Sequence, residues 1–220
     1  MGEYLENSIA YMKKNHHSLQ IEENGDLLVF NGRIYIVAQS TNPDFRIQIS
    51  PKIRLSVNKE GRGIPSCVYL GETQGYPHIN KDKTLCVSTD FDIMLRLQNS
   101  VCISDYIELF LKPFFLSFEY WKETGKPLFG ERSHGGRGII ESIREYTNSH
   151  KLTDEDVALL LAWAADRVKF RRIIPKEKQP VFLSRYQNKI VKLRKLDRFF
   201  LWNLYKSVKN GFFCEKKDIR

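Results

Sequence analysis

Gly75-Tyr76-Pro77-His78-Ile79-Asn80-Lys81-Asp82-Lys83-Thr84-Leu85-Cys86-Val87-Ser88 is the most informative segment of this chain. It sets a loop opened by Gly75 and Pro77 ahead of a cysteine between two apolar residues. Thr84 to Val87 reads as extended. A free cysteine is by default a small buried apolar side chain. Here, however, a histidine lies eight positions upstream and an asparagine six, both polar groups able to donate hydrogen bonds.

On the N-terminal side of this stretch the pattern is that of an antiparallel sheet. Ser66-Cys67-Val68-Tyr69-Leu70 after Pro65 reads as a strand, and Phe45-Arg46-Ile47-Gln48-Ile49 alternates apolar and polar residues up to Pro51. Leu27-Leu28-Val29-Phe30 and Arg33-Ile34-Tyr35-Ile36-Val37 flank Asn31-Gly32, which predicts a hairpin turning at that dipeptide. Leu5, Ile9 and Met12 have one-face helical spacing, predicting a helix over 3–17 that ends on solvated His16 and His17.

On the C-terminal side, Ser104-Asp105 opens a helical apolar stripe of Ile107, Phe110, Leu111, Phe114, Phe115 and Phe118, with Trp121 also assigned to the core. Pro113 either kinks this element or starts a second helix. Gly125 and Pro127 stop it, and 130–138 reads as a glycine-rich loop containing His134. Thr153-Asp154-Glu155-Asp156 puts acidic residues at a helix start. Val157, Leu160, Leu161, Ala164 and Val168 would form that helix's stripe, with Pro175 closing it. A last helix is predicted over 186–209, with Leu193, Leu196, Phe200, Leu204 and Val208 on one side.

The 220 residues, 42% hydrophobic and 28% charged, fit a folded globular chain. No apolar run reaches the roughly 18 to 20 residues of a spanning helix. The opening residues, with Glu3, Glu6, Lys13 and Lys14, do not read as a signal peptide. A cytoplasmic protein without membrane contact is expected. Cys67, Cys86, Cys102 and Cys214 contain no Cys-x-x-Cys pair, so neither a structural zinc nor a disulfide framework is expected. Cys67 and Cys102 read as packing residues. Charge divides unevenly: residues 1–150 carry a net −1 and 151–220 a net +10.

The order of helix, antiparallel meander, loop with Pro77-His78 and Asn80, the Leu85-Cys86-Val87 triplet and a following helix resembles the ubiquitin-conjugating-enzyme family over about residues 1–146. Eukaryotic members carry a His-Pro-Asn triplet before the cysteine, with its asparagine eight positions upstream. Here His78 holds that position and Asn80 lies nearer. The Pro-His pair and Gly130-Glu131-Arg132-Ser133-His134-Gly135 look more like the bacterial relatives found with antiphage signalling or ubiquitin-like modification operons. The eukaryotic Trp-Ser-Pro element after the cysteine is missing; Asp90 to Leu97 stands there instead.

The helical spacing and positive charge of the last third predict a basic helical extension over 149–220. The resemblance implies an α+β fold with a four-stranded antiparallel meander and flanking helices over 1–148. It implies a Cys86 thiolate that collects an acyl group as a thioester and passes it to an amine. His78 or Asn80 would stabilise the charge on the carbonyl oxygen or orient the loop that does, with His134 a further candidate. No cofactor or metal is implied. The implied partners are an activating enzyme or other acyl-donor protein, and a ubiquitin-like protein or a nucleotidyltransferase as substrate. Nucleic acid ranks behind these.

Two rival readings use the same residues. The first is a non-catalytic binding module whose basic tail docks protein or nucleic acid. The second is a cysteine peptidase using Cys86 and His134, against which stands the extended setting of the cysteine.

Overall fold

The structure, a computed structural model, describes residues 2–39, 45–129, 133, 135–173, 177 and 179–214, with backbone alone at 169, 172, 173, 182 and 210–214. The fold is α+β, with a four-stranded antiparallel sheet and a set of helices. The chain divides into two compact units, one of residues 1–88 and 99–131, the other of 89–98 and 132–220. The segments 89–98 and 132–147 belong with the C-terminal helices.

In the first unit, helix α1 (Glu3–Asn15) carries Leu5 and Met12 inward. Strands β1 (Leu19–Asn24), β2 (Leu27–Arg33), β5 (Lys52–Asn58) and β6 (Ser66–Tyr69) form the sheet in that order. Strands β3 (Ile36–Gln39) and β4 (Arg46–Ile49) pair separately. One register nevertheless runs through both pairings: Arg33 stands opposite Lys52 and, three residues on, Ile36 opposite Ile49. The break falls beside Pro51, which has no N–H to give the ladder but whose carbonyl accepts from Ile34 at 3.1 Å. The meander thus has long, interrupted middle strands.

The predicted turn at Asn31-Gly32 is not there. Both residues lie inside β2, and the hairpin closes around Gly25-Asp26, where Asn24 pairs with Leu27. Gly32 serves another purpose: its φ is 143°, and a Cβ there would sit 2.5 Å from the Ser18 carbonyl oxygen. Only glycine lets β2 pass that close to the start of β1. Sequence reading also overlooked β1 and β5, although Lys52-Ile53-Arg54-Leu55-Ser56-Val57 alternates cleanly and buries Ile53, Leu55 and Val57.

The aromatic helix starts as α3 (Ser104–Tyr106), widens into a π-helical turn (Ile107–Leu111) and continues as α4 (Lys112–Thr124). Pro113 lies in the first turn of α4, which is the second of the two alternatives: it helps open a helix instead of kinking one. The wide turn accommodates a residue that has no N–H for the carbonyl four back. Gly125, with φ 67°, ends α4 by donating to the Trp121 carbonyl. The Phe115 and Phe118 rings meet Tyr69 of β6 edge-on, at 5.8 and 5.7 Å. Trp121 is only half-buried.

His16 corrects the expectation of a solvated helix end. It is 5% exposed, and its Nδ1 accepts the Tyr35 N–H at 3.0 Å. That bond fixes the neutral tautomer with Nε2 protonated, and Nε2 is buried without a partner. Burial, with a smaller contribution from Lys112, lowers its pKa.

The second unit is helical: α2 (Asp90–Leu97), α5 (Gly135–Thr147), α6 (Asp154–Ala165), α7 (Arg167–Ile173), α8 (Val181–Arg185), α9 (Gln187–Leu193) and α10 (Arg198–Cys214). Thr153 and Asp156 form a complete capping box at the start of α6, as the acidic cluster predicts. That helix ends at Ala165, however, and Val168 lies beyond it, 64% exposed. The predicted single helix over 186–209 is α9 and α10 with a break between them. Leu193, Leu196, Leu204 and Val208 are buried, as expected, and Phe200 is half-buried against the same core. Residues 135–138, read as loop, open α5. A Cβ at Gly136 would stand 2.8 Å from the Ser207 carbonyl oxygen, so glycine here permits close approach of α10. Among the described residues no helix is long and apolar enough to cross a membrane.

Candidate functional site around Cys86

The segment from Tyr76 to Cys86 folds as a miniature hairpin in the first unit. Tyr76 anchors it: its ring, 4% exposed, packs among Phe114, Phe118 and Trp121, and its hydroxyl donates to Ser117 Oγ at 3.0 Å. The turn spans Asn80 to Lys83, closed by the Lys83 N–H to the Asn80 carbonyl at 2.8 Å, with Lys83 at a φ of 66°. From there Asn80 N–H donates to the Thr84 carbonyl, Ile79 bridges Leu85, and Cys86 N–H donates to the His78 carbonyl at 2.9 Å.

This pairing sets His78 opposite Cys86 and Asn80 opposite Thr84. Side chains alternate along a strand, so these four share one face of the hairpin, while Ile79 and Leu85 share the other. Directly opposed Cβ atoms of an antiparallel pair lie about 5 Å apart. A histidine and a cysteine eight residues apart in sequence thereby become neighbours. Cys86 and His78 are both half-buried. The His78 ring also meets Tyr76 edge-on at 5.4 Å.

Asn80 has a different role. Its Nδ2 donates to Thr84 Oγ1 at 2.8 Å, and that hydroxyl donates to Asp82 Oδ1 at 2.6 Å. The Thr84 N–H also donates to Asp82, at 3.0 Å. The hydroxyl first, then the N–H, hold the Asp82 carboxyl below its ordinary pKa. Asn80 is therefore engaged in fixing the turn, with His78 the residue that faces the thiol. Sequence reading did not single out Asp82 and Thr84, although an Asp two residues before a Thr in a polar turn is an Asx-turn signal.

Strand β6 holds the outgoing limb. Leu85 N–H donates to the Cys67 carbonyl and Val68 bridges Thr84, so the cysteine-bearing strand is laid along β6. Lys83 Nζ reaches the Gly71 carbonyl at 3.4 Å. Tyr106, 1% exposed, is a further residue that the sequence did not mark. Burial raises its phenol pKa well above the ordinary value, and the nearby Cys67 and Cys86 thiols add to this.

The other thiols are differently placed. Cys67 is 2% exposed, and burial pushes its pKa far up, so it stays a thiol. Cys102 is half-buried, with Sγ 3.4 Å from the Asn7 carbonyl oxygen, to which it donates, and 3.5 Å from the Ser104 N–H. The Cys214 side chain and His134 lie outside the described residues. Cys86 is extended and paired in a hairpin, not in the first turn of a helix. Among the described residues no three His, Cys, Asp or Glu side chains gather as metal ligands.

No protein-family model matches the chain, and neither does any curated protein or solved structure.

Proposed function

We propose that the protein is a ubiquitin-conjugating-enzyme-like carrier that holds an acyl group as a thioester on Cys86 and passes it to an amine. The observation that carries this reading is the hairpin that opposes His78 to a half-buried Cys86, on a segment pinned at one end by Tyr76 and along its length by β6. The interrupted meander preceding the cysteine and the long helix Ser104–Thr124 are compatible with the resemblance.

In the loading step the Cys86 thiolate attacks the carbonyl of an incoming thioester, and the donor's thiolate leaves. In discharge a neutral amine attacks the Cys86 thioester. The C–S bond breaks as the C–N bond forms, Cys86 leaves as thiolate, and the surplus proton of the amine passes to solvent or a base. Negative charge grows on the carbonyl oxygen during each attack, so a fixed donor there accelerates the step. His78, across the hairpin from the thiol, is the candidate donor. Asn80, bonded to Thr84, keeps the turn in register. The acyl group is the C-terminus of a ubiquitin-like protein or of another modified protein, delivered by an activating enzyme in a defence or modification operon.

The test uses a Gly-Gly-ending ubiquitin-like protein supplied as its mercaptoethanesulfonate thioester, with intact mass read under non-reducing, denaturing conditions. The wild type should gain one acyl adduct that hydroxylamine removes, Cys86→Ser a slower and more stable oxyester, and Cys86→Ala none. An adduct of equal yield on Cys86→Ala, or one mapping to Cys67 or Cys102, overturns the assignment.

A further inference from the structure

The positive charge of the chain is more concentrated than a division at residue 150 reveals. Residues 167–198 contain 12 Lys and Arg against 2 Asp and Glu, a net of +10 in a chain of net +9, so everything outside them sums to −1. The structure gathers part of this charge at the C-terminal end of α6. Arg194, just past α9, donates from Nη2 to the Trp163 carbonyl at 3.3 Å, and Arg198, opening α10, pairs with Asp166. These contacts account for two arginines structurally, since a helix C-terminus favours cations.

They do not account for Arg167 and Arg171. These two stand four residues apart on α7, where like charges on one helical face repel. Both are exposed, and among the described residues neither makes an ion pair. Both also lie close enough to Arg194 that, after burial, their charges contribute to lowering its pKa. Guanidinium groups are thus held together by the helix packing around the Asp166 carboxylate. Phe199, adjoining Arg198, is 71% exposed.

We infer that the surface bearing Arg167, Arg171, Arg194 and Arg198 binds the phosphate backbone of nucleic acid. Arginine presents a planar fork suited to phosphate oxygens, and Arg194 is already oriented by its bond to Trp163. A protein partner fits less well. Cores of protein interfaces are depleted of charge and of lysine in particular, whereas Lys189, Lys192 and Lys195 continue the charge along and beyond α9. An exposed aromatic beside an arginine is instead what a stacked base requires. This surface is independent of the Cys86 proposal.

The experiment is fluorescence anisotropy of the full chain with a labelled single-stranded dT 20-mer across a salt series. Four phosphate contacts imply a log–log slope of about −3 for a single strand, or roughly 50-fold weaker binding between 50 and 200 mM salt. Arg167→Gln/Arg171→Gln should halve that slope and weaken binding at 50 mM about tenfold or more, while Lys13→Gln/Lys14→Gln on α1 should leave both unchanged. Hydrogen exchange of the wild type with the same oligonucleotide gives a reading that needs no variant: peptides of α7 and the start of α10 should gain protection. No binding at 50 mM salt, an unchanged slope in the arginine variant, protection confined to the first unit, or displacement of the oligonucleotide by equal amounts of polyglutamate each overturns the inference.

Discussion

Replacing Gly32 by alanine separates a glycine that makes a turn from one that makes room. At Gly32 the backbone has a φ of 143°, a region nearly closed to residues with a side chain, and occupying it costs about 1–3 kcal/mol. The new Cβ would also lie 2.5 Å from the Ser18 carbonyl oxygen and 3.3 Å from Leu19 Cα. Both are backbone atoms, so no rotamer change relieves the clash. Strand β1 must move, opening the terminal Leu19–Gly32 pair of the ladder, and a ladder hydrogen bond contributes about 1 kcal/mol. The sum is about 3 kcal/mol. Gly25→Ala in the same hairpin is the matched control, since Gly25 has a φ of 58° and no atom within 4 Å of the added Cβ. Its cost is the left-handed conformation alone, about 1 kcal/mol. Native-state hydrogen exchange over residues 19–33 should show protection falling on the order of 10²-fold in Gly32→Ala and about fivefold in Gly25→Ala. Equal losses in the two variants would refute the close-approach account of Gly32.

Other expectations are more direct. His78→Ala should leave the Cys86 adduct largely intact while slowing its discharge to an amine by about 10²-fold, as for loss of one oxyanion donor; discharge at the wild-type rate moves the donor elsewhere, with His134 next to be tested. Cys86 should react with iodoacetamide well before Cys67, whose burial keeps it protonated, and labelling in the reverse order would contradict the placement of both thiols. Because the folded pKa of His16 lies below its ordinary 6.5, the unfolded chain takes up that proton first. Stability should therefore be fully present above pH 6.5 and decline as pH falls below it, and His16→Asn should flatten that decline in urea titrations at pH 7.5 and 5.5. Thr153→Ala removes the side-chain half of the α6 capping box and should cost about 1 kcal/mol in the same titration.

The sequence yielded most where one local rule decided the outcome. Helix α1, two residues shorter than read, strand β6, the helix stop at Gly125 and the helix start at Thr153 all appear, because spacing, a glycine or an acidic first turn suffices for each. It misled where tertiary contact overrode a local signal. Asn31-Gly32 is a turn dipeptide that lies inside a strand paired with β1, and Gly135 to Gly138 are loop-like residues that open α5, where Gly136 lets Ser207 come close. His16 appeared solvated because the Tyr35 N–H that it accepts lies nineteen residues away. At the candidate site, Cys86, His78 and Asn80 were legible as residue types. Their proposed division of labour was not, because it depends on which residue stands across the hairpin from which.

The π-helical turn at Ile107–Leu111 has a consequence for how the long helix keeps its aromatic residues in phase. Tyr106, Phe110, Phe114 and Phe118 recur every four residues, as do Ile103, Ile107, Leu111 and Phe115, and all are buried. An α-helix advances 3.6 residues per turn, so a four-residue repeat precesses by about 40° at each step and by about 120° over three. In a straight helix one end of such a ladder would swing toward water. The wider turn runs behind the four-residue repeat instead of ahead of it, so it winds part of that precession back and lets both ends of the ladder stay inward. The helix thus behaves as a spiral with a built-in phase correction. A deletion at half-exposed Leu109, harmless by burial alone, would close that turn to ordinary α geometry and rotate Tyr106, beside the two thiols, out of step with Phe114, against which Tyr76 and the Cys86 hairpin are seated.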